Sequence, residues 1–363
     1  MNHMEISRAY ESNLRAKDFI RWVMAEGSAE TPGEAREIFA ARYPHSKNLD
    51  LITRDAVPAA SSGGSTWGQQ LVGINVLVSE YVGVIRPRTV LGRIQGYRKV
   101  PFEVRYPIAT AGVPAAWVEE GGAIPVRAMA FSEGTMQRSK IGGIVVLTDE
   151  IVRSSAPDAE ALVEQDITAG IVEFSDGQLL DPTHAGSGNV SPASITYDAP
   201  SITASGSDAD AVASDLKALL DLITTGMAAP YFIMSRRTAT HIASLDNPRW
   251  GNITMGPNGG MIWGIPVLTT TEMPKDGESP EGNIIVALDA AELQVADDGA
   301  EANVSREASL QMLDNPTGNS VDPAATSVVS LFQTNCIGVM VIRFLRWQMR
   351  RAGAVAYIAG VPY

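Results

Sequence analysis

Cysteine is nearly absent. Cys336 is the only one in 363 residues, which excludes an intrachain disulfide and a thiolate metal cluster. Histidine is scarce too: His3, His45, His184 and His241 are scattered, and none has the spacing of a zinc site. No apolar run reaches the roughly 18 residues that a membrane helix needs. The opening Met-Asn-His-Met-Glu-Ile-Ser-Arg lacks the apolar core of a secretory signal. The expectation is a chain made and folded in cytoplasm. Positive charge is also in short supply, with 28 Lys and Arg against 41 Asp and Glu and a formal net charge of -13. So acidic a chain is poorly suited to tight, sequence-blind binding of nucleic acid, which relies on Lys and Arg neutralising phosphates.

Catalytic signatures are missing as well. There is no Gly-x-Ser-x-Gly elbow and no Gly-x-x-x-x-Gly-Lys-Ser/Thr loop. Gly186-Ser-Gly188 opens like a dinucleotide loop but lacks the third glycine and follows a helical stretch, so it reads as part of a linker. Glu119 and Glu120 are adjacent on an extended stretch, where neighbouring side chains point apart, and do not make an acid/base pair. The chain reads as a non-enzyme without catalytic, cofactor or metal residues. Cys336, in an apolar run, reads as a small core residue.

What is present is an ordinary globular composition, 45% hydrophobic and 19% charged, over a length that allows two or more packed units. Residues 1–56 read as a separate helical piece. Ile6, Tyr10, Leu14, Phe19, Ile20 and Val23 recur at helical spacing. A second helix is announced by Thr31 as N-cap, Pro32 in the first turn and Glu34 reaching back as in a capping box. Residues 57–66 have the composition of a flexible linker.

Residues 97–163 are the most informative stretch. From Tyr97 to Ile108 the chain alternates, with Val100, Phe102, Val104, Tyr106 and Ile108 on one face and Lys99, Glu103 and Arg105 on the other, which predicts a strand with one wet face. A glycine- and proline-bearing tip follows at 109–125, and then a return strand to Leu147. Ser132, Glu133, Thr135, Gln137, Arg138, Ser139 and Lys140 make the return segment too polar for burial in its own subunit. A long two-stranded arm with so little core of its own is expected to lie on a neighbour. Its candidate contacts are Trp117, Glu119, Glu120, Arg127, Arg138 and Lys140.

The longest helix runs from about Pro157 to Leu180, with Ser155 and Asp158 at its start and an apolar stripe of Val163, Ile167, Ile171 and Phe174. A second linker spans Thr183–Ser194. An α/β unit over about 195–320 holds a helix through Leu222 capped by Ser207 with Asp210, a buried strand at Tyr231–Met234, and a helix Arg236–Leu245 capped by Ser235. A loop at 247–260 precedes strands within 261–270, 283–288 and 292–296, and strand-like runs close the chain at 327–346 and 354–358. The one basic concentration is Arg343, Arg346, Arg350 and Arg351, interleaved with Phe344 and Trp347. It suits either nucleic-acid contact or salt bridges between subunits, and the acidity of the chain favours the second.

The succession of extended arm, Trp117-Val-Glu-Glu-Gly, return strand, Thr148-Asp-Glu-Ile-Val-Arg-Ser-Ser-Ala-Pro-Asp158, long helix, Phe232-Ile-Met-Ser-Arg-Arg-Thr238 and Trp263-Gly-Ile-Pro-Val267 resembles the major capsid proteins of tailed bacteriophages with the Hong Kong 97-type fold. The resemblance covers about 57–363. It implies an α+β architecture with an N-terminal arm at 57–75, an extended β-hairpin loop at 98–142, a peripheral domain from 76–97, 143–199 and 321–345 with the long helix as its spine, and an axial domain from 200–320 and 346–363. It further implies hexamers and pentamers closing into an icosahedral virion shell around double-stranded DNA in the bacterial host. Implied partners are a portal, a scaffold or protease, and a cement protein, with no membrane. Residues 1–56 are then either a scaffolding-like segment removed on maturation or a retained extension of the arm.

Some members of that family join a Lys in the extended loop to an Asn of a neighbour with a catalytic Glu. The matching positions here are Ile124, Ser330, and Ile337 or Gly338, none of which fits, so the resemblance implies a shell without covalent cross-links. An encapsulin-type nanocompartment shell, which shares the fold, is the second reading. A soluble enzyme is the third, with no motif behind it.

Overall fold

A computed structural model describes residues 18, 21–22, 24–26, 29, 31–46, 88–111, 117–118, 130–149, 157–188, 190–245, 253–274, 283–313, 328–351 and 353–363. The apolar positions read as the first helix, the linker at 57–66, most of the arm tip, Ser155 and most of the loop after Leu313 lie outside the described residues.

The helices are α1 (Pro32–Arg42), α2 (Val90–Arg93), α3 (Pro157–Leu180), α4 (Ala209–Asp221) and α5 (Arg236–Ser244). The strands are β1 (Arg98–Lys99), β2 (Arg105–Ala111), β3 (Ala130–Thr135), β4 (Lys140–Thr148), β5 (Ser201–Thr203), β6 (Pro230–Ser235), β7 (Thr254–Gly256), β8 (Gly259–Ile262), β9 (Ile265–Thr270), β10 (Asn283–Asp289), β11 (Leu293–Ser305), β12 (Ser309–Leu310), β13 (Val329–Ser330), β14 (Cys336–Met349) and β15 (Val355–Val361). They form a seven-stranded sheet in the order β5-β15-β10-β6-β9-β8-β7, a four-stranded sheet in the order β1-β11-β14-β4, and two two-stranded pairs, β2-β3 and β12-β13.

The chain divides into two compact units. One comprises residues 1–93, 141–176 and 299–343. Its core gathers Trp22, Met24, Ala25, Ala29, Ala35 and Phe39 with Ile337, Val339 and Val341 of β14. The helical piece at the start of the chain therefore shares a core with a strand some three hundred residues on. Thr31 caps α1 as its sequence predicts, accepting from the Glu34 N–H at 3.3 Å, and Pro32 follows in the first turn. On α3, Ile171 packs against this core, but Phe174 is 52% exposed, so the predicted apolar stripe does not run buried to its end. Cys336 is half-buried at the start of β14, where its Sγ–H donates to the Thr334 carbonyl at 3.3 Å, and it does not join the core.

The other unit comprises residues 94–140, 177–298 and 344–363. Its core is the seven-stranded sheet with the apolar faces of α4 (Val212, Leu216, Leu219) and α5 (Ala239, Ile242) against Phe232, Met234, Val267, Ile285, Ala287 and Ile358. The sheet is mixed: β6 pairs parallel with β9 and antiparallel with β10. Ser235 caps α5 by accepting from the Thr238 N–H at 3.0 Å, as predicted. At α4 the N-cap is Asp208, and its side chain makes no capping bond. Part of the expected loop at 247–260 is the hairpin β7–β8, which pairs Thr254 with Met261. Glycine hides this strand from periodicity, and here it is obligatory: at Gly260, with φ 157°, a Cβ would sit 1.7 Å from the Thr254 carbonyl oxygen. Trp263 and Gly264, both at positive φ, make the tight turn into β9.

The alternating stretch from Tyr97 to Ile108 is not one strand. After β1 the chain turns, with Glu103 at φ 59°, and β2 starts only at Arg105. Val100 is buried while Val104 is exposed, because the turn breaks the period of two. The described residues of the predicted linker at 183–194 form a hydrogen-bonded loop. Ser194 Oγ–H donates to the Leu179 carbonyl at 2.7 Å and Thr196 Oγ–H to the Leu180 carbonyl at 2.8 Å, so the loop closes the end of α3.

Candidate functional site

The hairpin β2–β3 pairs Arg105 with Thr135 and runs to Ala111 opposite Ala130, with a register shift near Ala109. These two strands pair with no other described strand. An isolated two-stranded hairpin is marginally stable in water at best. Trp117, beyond β2, is fully exposed. Glu119, Glu120 and Arg127 lie outside the described residues.

The root of the hairpin is held by Arg138. Its guanidinium donates to Asp298 Oδ2 at 2.7 Å, lies 4.9 Å from the centroid of the Phe344 ring, and lies 5.9 Å from that of Phe102. Phe102 precedes the outgoing strand, and Arg138 follows the returning one. Cation–π attraction and an ion pair thus meet on one side chain at the place where the hairpin joins its unit. Lys140, at the start of β4, is exposed. Ser139, expected to be too polar for burial, is buried; its Oγ accepts from Arg346 at 3.0 Å, which satisfies the hydroxyl.

The basic run does not form one patch, and β14 explains why. Strand side chains alternate between faces. Val341, Arg343, Leu345 and Trp347 fall on the buried side, and Phe344 and Arg346 on the other. Arg343 is only 5% exposed. Arg346 donates to Ser139 Oγ and, at 2.8 Å, to the Gly188 carbonyl. Burial pushes its guanidinium pKa below the ordinary value. The indole N–H of Trp347 donates to the Ala193 carbonyl at 2.9 Å, so β14 is tied twice to the 183–194 loop. The loop keeps its path through Gly186, at φ 72°, where a Cβ would lie 2.5 Å from the Ala193 nitrogen.

Arg350 makes the strongest pair in this region. Its Nε–H and Nη2–H donate to Glu292 Oε2 and Oε1, each at 2.7 Å, a two-pronged geometry. The hydrogen bond to Glu292 raises the Arg350 pKa despite burial, with the charges of Glu292 and Asp289 adding to it. Arg351 lies 3.6 Å from the same Glu292 Oε1 and remains half-exposed. Neighbouring Asp289 is buried, which pushes its pKa up. Hydrogen bonds from the backbones of Ala229 and Ala291, the Thr225 hydroxyl and the Ala228 backbone outweigh that and hold it below the ordinary carboxylate value.

Of the ten candidate contact residues, the structure brings Arg346, Arg350 and Arg351 into one neighbourhood, near β14's end, and puts Arg138 at the hairpin root. Glu292, Asp298 and the 183–194 loop, which hold these side chains, carry no local signal in the sequence. Among the described residues no group of three or more His, Cys, Asp or Glu is placed to hold a metal ion, and no helix is long and apolar enough to cross a membrane.

The phage capsid family model matches residues 63–360. A capsid polyprotein of Pseudomonas phage PAJU2 is 35% identical over 330 residues, covering 86% of this chain. The chain spans about half of that relative's length, 48%. Among solved structures, a chain of Gordonia phage Cozz aligns with a TM-score of 0.54 at 12% identity, covering 84% of this chain and 98% of that one. A chain of Microbacterium phage Oxtober96 aligns with a TM-score of 0.52 at 12% identity, covering 73% and 89%. The capsid of an empty GTA particle computed with C5 symmetry aligns with a TM-score of 0.50 at 13% identity, covering 89% and 98%.

Proposed function

The chain belongs to the phage capsid family, a structural protein and not an enzyme, and from that premise we propose that it works as the repeating subunit of a closed icosahedral shell, in hexamers and pentamers, enclosing double-stranded DNA. The observation that carries the proposal is the family match across residues 63–360, joined to 35% identity with a capsid polyprotein. The mixed helix-and-sheet fold agrees with the Hong Kong 97-type architecture that the sequence resembles, and the phage relatives favour a virion shell over a nanocompartment shell.

The mechanism is assembly. The β2–β3 hairpin finds no sheet to join within the described part of its own chain. Laying it on a neighbour would give it a surface to pair and pack against, and many weak contacts multiply around a closed ring. Trp117, fully exposed, fits such a contact. The shell holds together without covalent links. Ile337 is buried in a core, and any side chain at Gly338 would meet Leu331 at 3.0 Å, so neither position offers a carboxylate to catalyse one. A portal, a scaffold or protease, and a cement protein complete the assembly, which takes place in the bacterial cytoplasm.

Negative-stain imaging of the expressed chain tests this reading. Rings or spherical shells are expected. Uniform small particles at all concentrations and salts would refute it. Denaturing electrophoresis of the shells should give single-subunit bands, and a covalent ladder would refute the non-covalent reading.

A further inference from the structure

A cavity of about 670 Å³ opens between the 192–200 segment, the last residues of β14, Thr135 at the end of β3 and Gln137 just beyond it. That volume lies within the roughly 300–1,000 Å³ range of ligand pockets. Its walls are of two kinds. Trp347, Tyr197 and Pro200 supply apolar surface, while Arg346 and Arg351 supply positive charge. One acid, Asp198, also lines it.

The charge in this cavity is not balanced from within. Arg346 is bonded to a hydroxyl and a carbonyl, and has no carboxylate partner among the described residues. Its depressed pKa agrees with a desolvated cation lacking a counter-charge. Arg351 has only a distant share in Glu292, whose two oxygens are already taken by Arg350. An unneutralised guanidinium beside apolar walls favours a partner that brings a carboxylate and an apolar side chain together. The rest of the molecule is the natural source: the chain carries 41 acidic residues against 28 basic ones, so a second copy presents an excess of carboxylates.

We propose that this cavity is an acceptor site for a carboxylate-bearing segment of a second copy of the chain, with Arg346 and Arg351 as the anion-binding groups and Trp347 and Tyr197 as the apolar floor. The proposal rests on the reading that copies assemble. It gives that assembly a specific, salt-sensitive contact in which charge repulsion between acidic copies is locally reversed.

The test uses R351K in full-length chains, mixed as heavy-isotope-labelled and unlabelled copies, assembled, and treated with a carbodiimide that couples amines to carboxylates. Arg351 is half-exposed with one long contact, so R351K should melt at the wild-type temperature. A cross-link from position 351 to an Asp or Glu of a differently labelled copy is expected. In parallel, R351Q should lower the yield of assembled particles several-fold at moderate salt and shift assembly to lower NaCl concentration. A link only to Glu292 of the same copy, or no link in well-formed particles, would overturn the proposal. An R351Q effect on co-purified DNA alone would show a phosphate site and overturn it too. Failure of wild-type chains to assemble would refute the shell reading itself and this proposal with it. Normal wild-type particles, together with well-formed R351K particles that lack the link, would refute only this proposal.

Discussion

Arg138 and Phe344 face each other at 4.9 Å, guanidinium over ring, while the same guanidinium donates to Asp298 at 2.7 Å. Both partners of the ion pair are about half-exposed, so the pair contributes roughly 0.2–1 kcal/mol and the stack roughly 0.5–1 kcal/mol. R138A should therefore cost the unit only about 1 kcal/mol. Its larger effect should be local, with hydrogen exchange at residues 105–111 and 130–135 faster than in the wild type. R138K keeps the charge but loses the planar stack, and should fall between the two.

Glu292 and Arg350 form a largely buried pair, and Glu292 also faces Arg351. Removing one partner of a buried pair leaves a charge in a poor environment and costs roughly 3–5 kcal/mol. E292Q should destabilise this unit by an amount near the bottom of that range, read as a lower urea midpoint, because Arg350 keeps some contact with water. E292Q combined with R350M should cost less than the sum of the two single changes, which a double-mutant cycle measures.

Tyr363 is buried against His241, with ring centroids 4.3 Å apart, and its pKa is pushed up to about 12 by burial and the charge of Asp215. A phenol whose pKa is raised in the folded state releases its proton more readily when unfolded. The stability that it contributes is whole below about pH 10 and lost as pH rises from about 10 to 12. Y363F should flatten that alkaline loss while leaving stability at pH 7 near the wild-type value, as followed by circular dichroism.

Asp289 behaves in the opposite sense, since its folded pKa is lowered. Its contribution is present above the unfolded value near 4 and lost as pH falls through the folded one. D289N should be less stable at pH 7 and should show a shallower acid limb than the wild type in thermal melts from pH 7 to pH 2.

G260A should open the β7–β8 hairpin. A methyl group there collides with the Thr254 carbonyl, and relief requires the strand pairing to part. Loss of protection at residues 254–262, with β10 and β15 unaffected, is the expected exchange pattern.

Elements that announce themselves through local chemistry were legible in the sequence. Thr31 and Pro32 mark α1, Ser235 marks α5, and the long α3 ends at Leu180 as predicted. What failed was pattern without local enforcement. The alternation from Tyr97 to Ile108 is real in the sequence, yet the left-handed Glu103 breaks it. β7–β8 is too rich in glycine to show a period. The arginine run reads as one patch until the period of two is applied to β14, which buries Arg343 and separates it from Arg346. Glu292 stands 58 residues from Arg350, and nothing near either of them marks the pair.

The end of α3 carries no basic residue in its last turn. Its final carbonyls are met instead by the Ser194 and Thr196 hydroxyls and by the Ile195 N–H at 3.0 Å. Neutral groups do there what lysine or arginine does at many helix ends. Ionic strength and pH have no handle on such a closure. A shell that must survive dilute water, brine and acid in turn would keep this joint unchanged while its charged contacts weaken or strengthen around it.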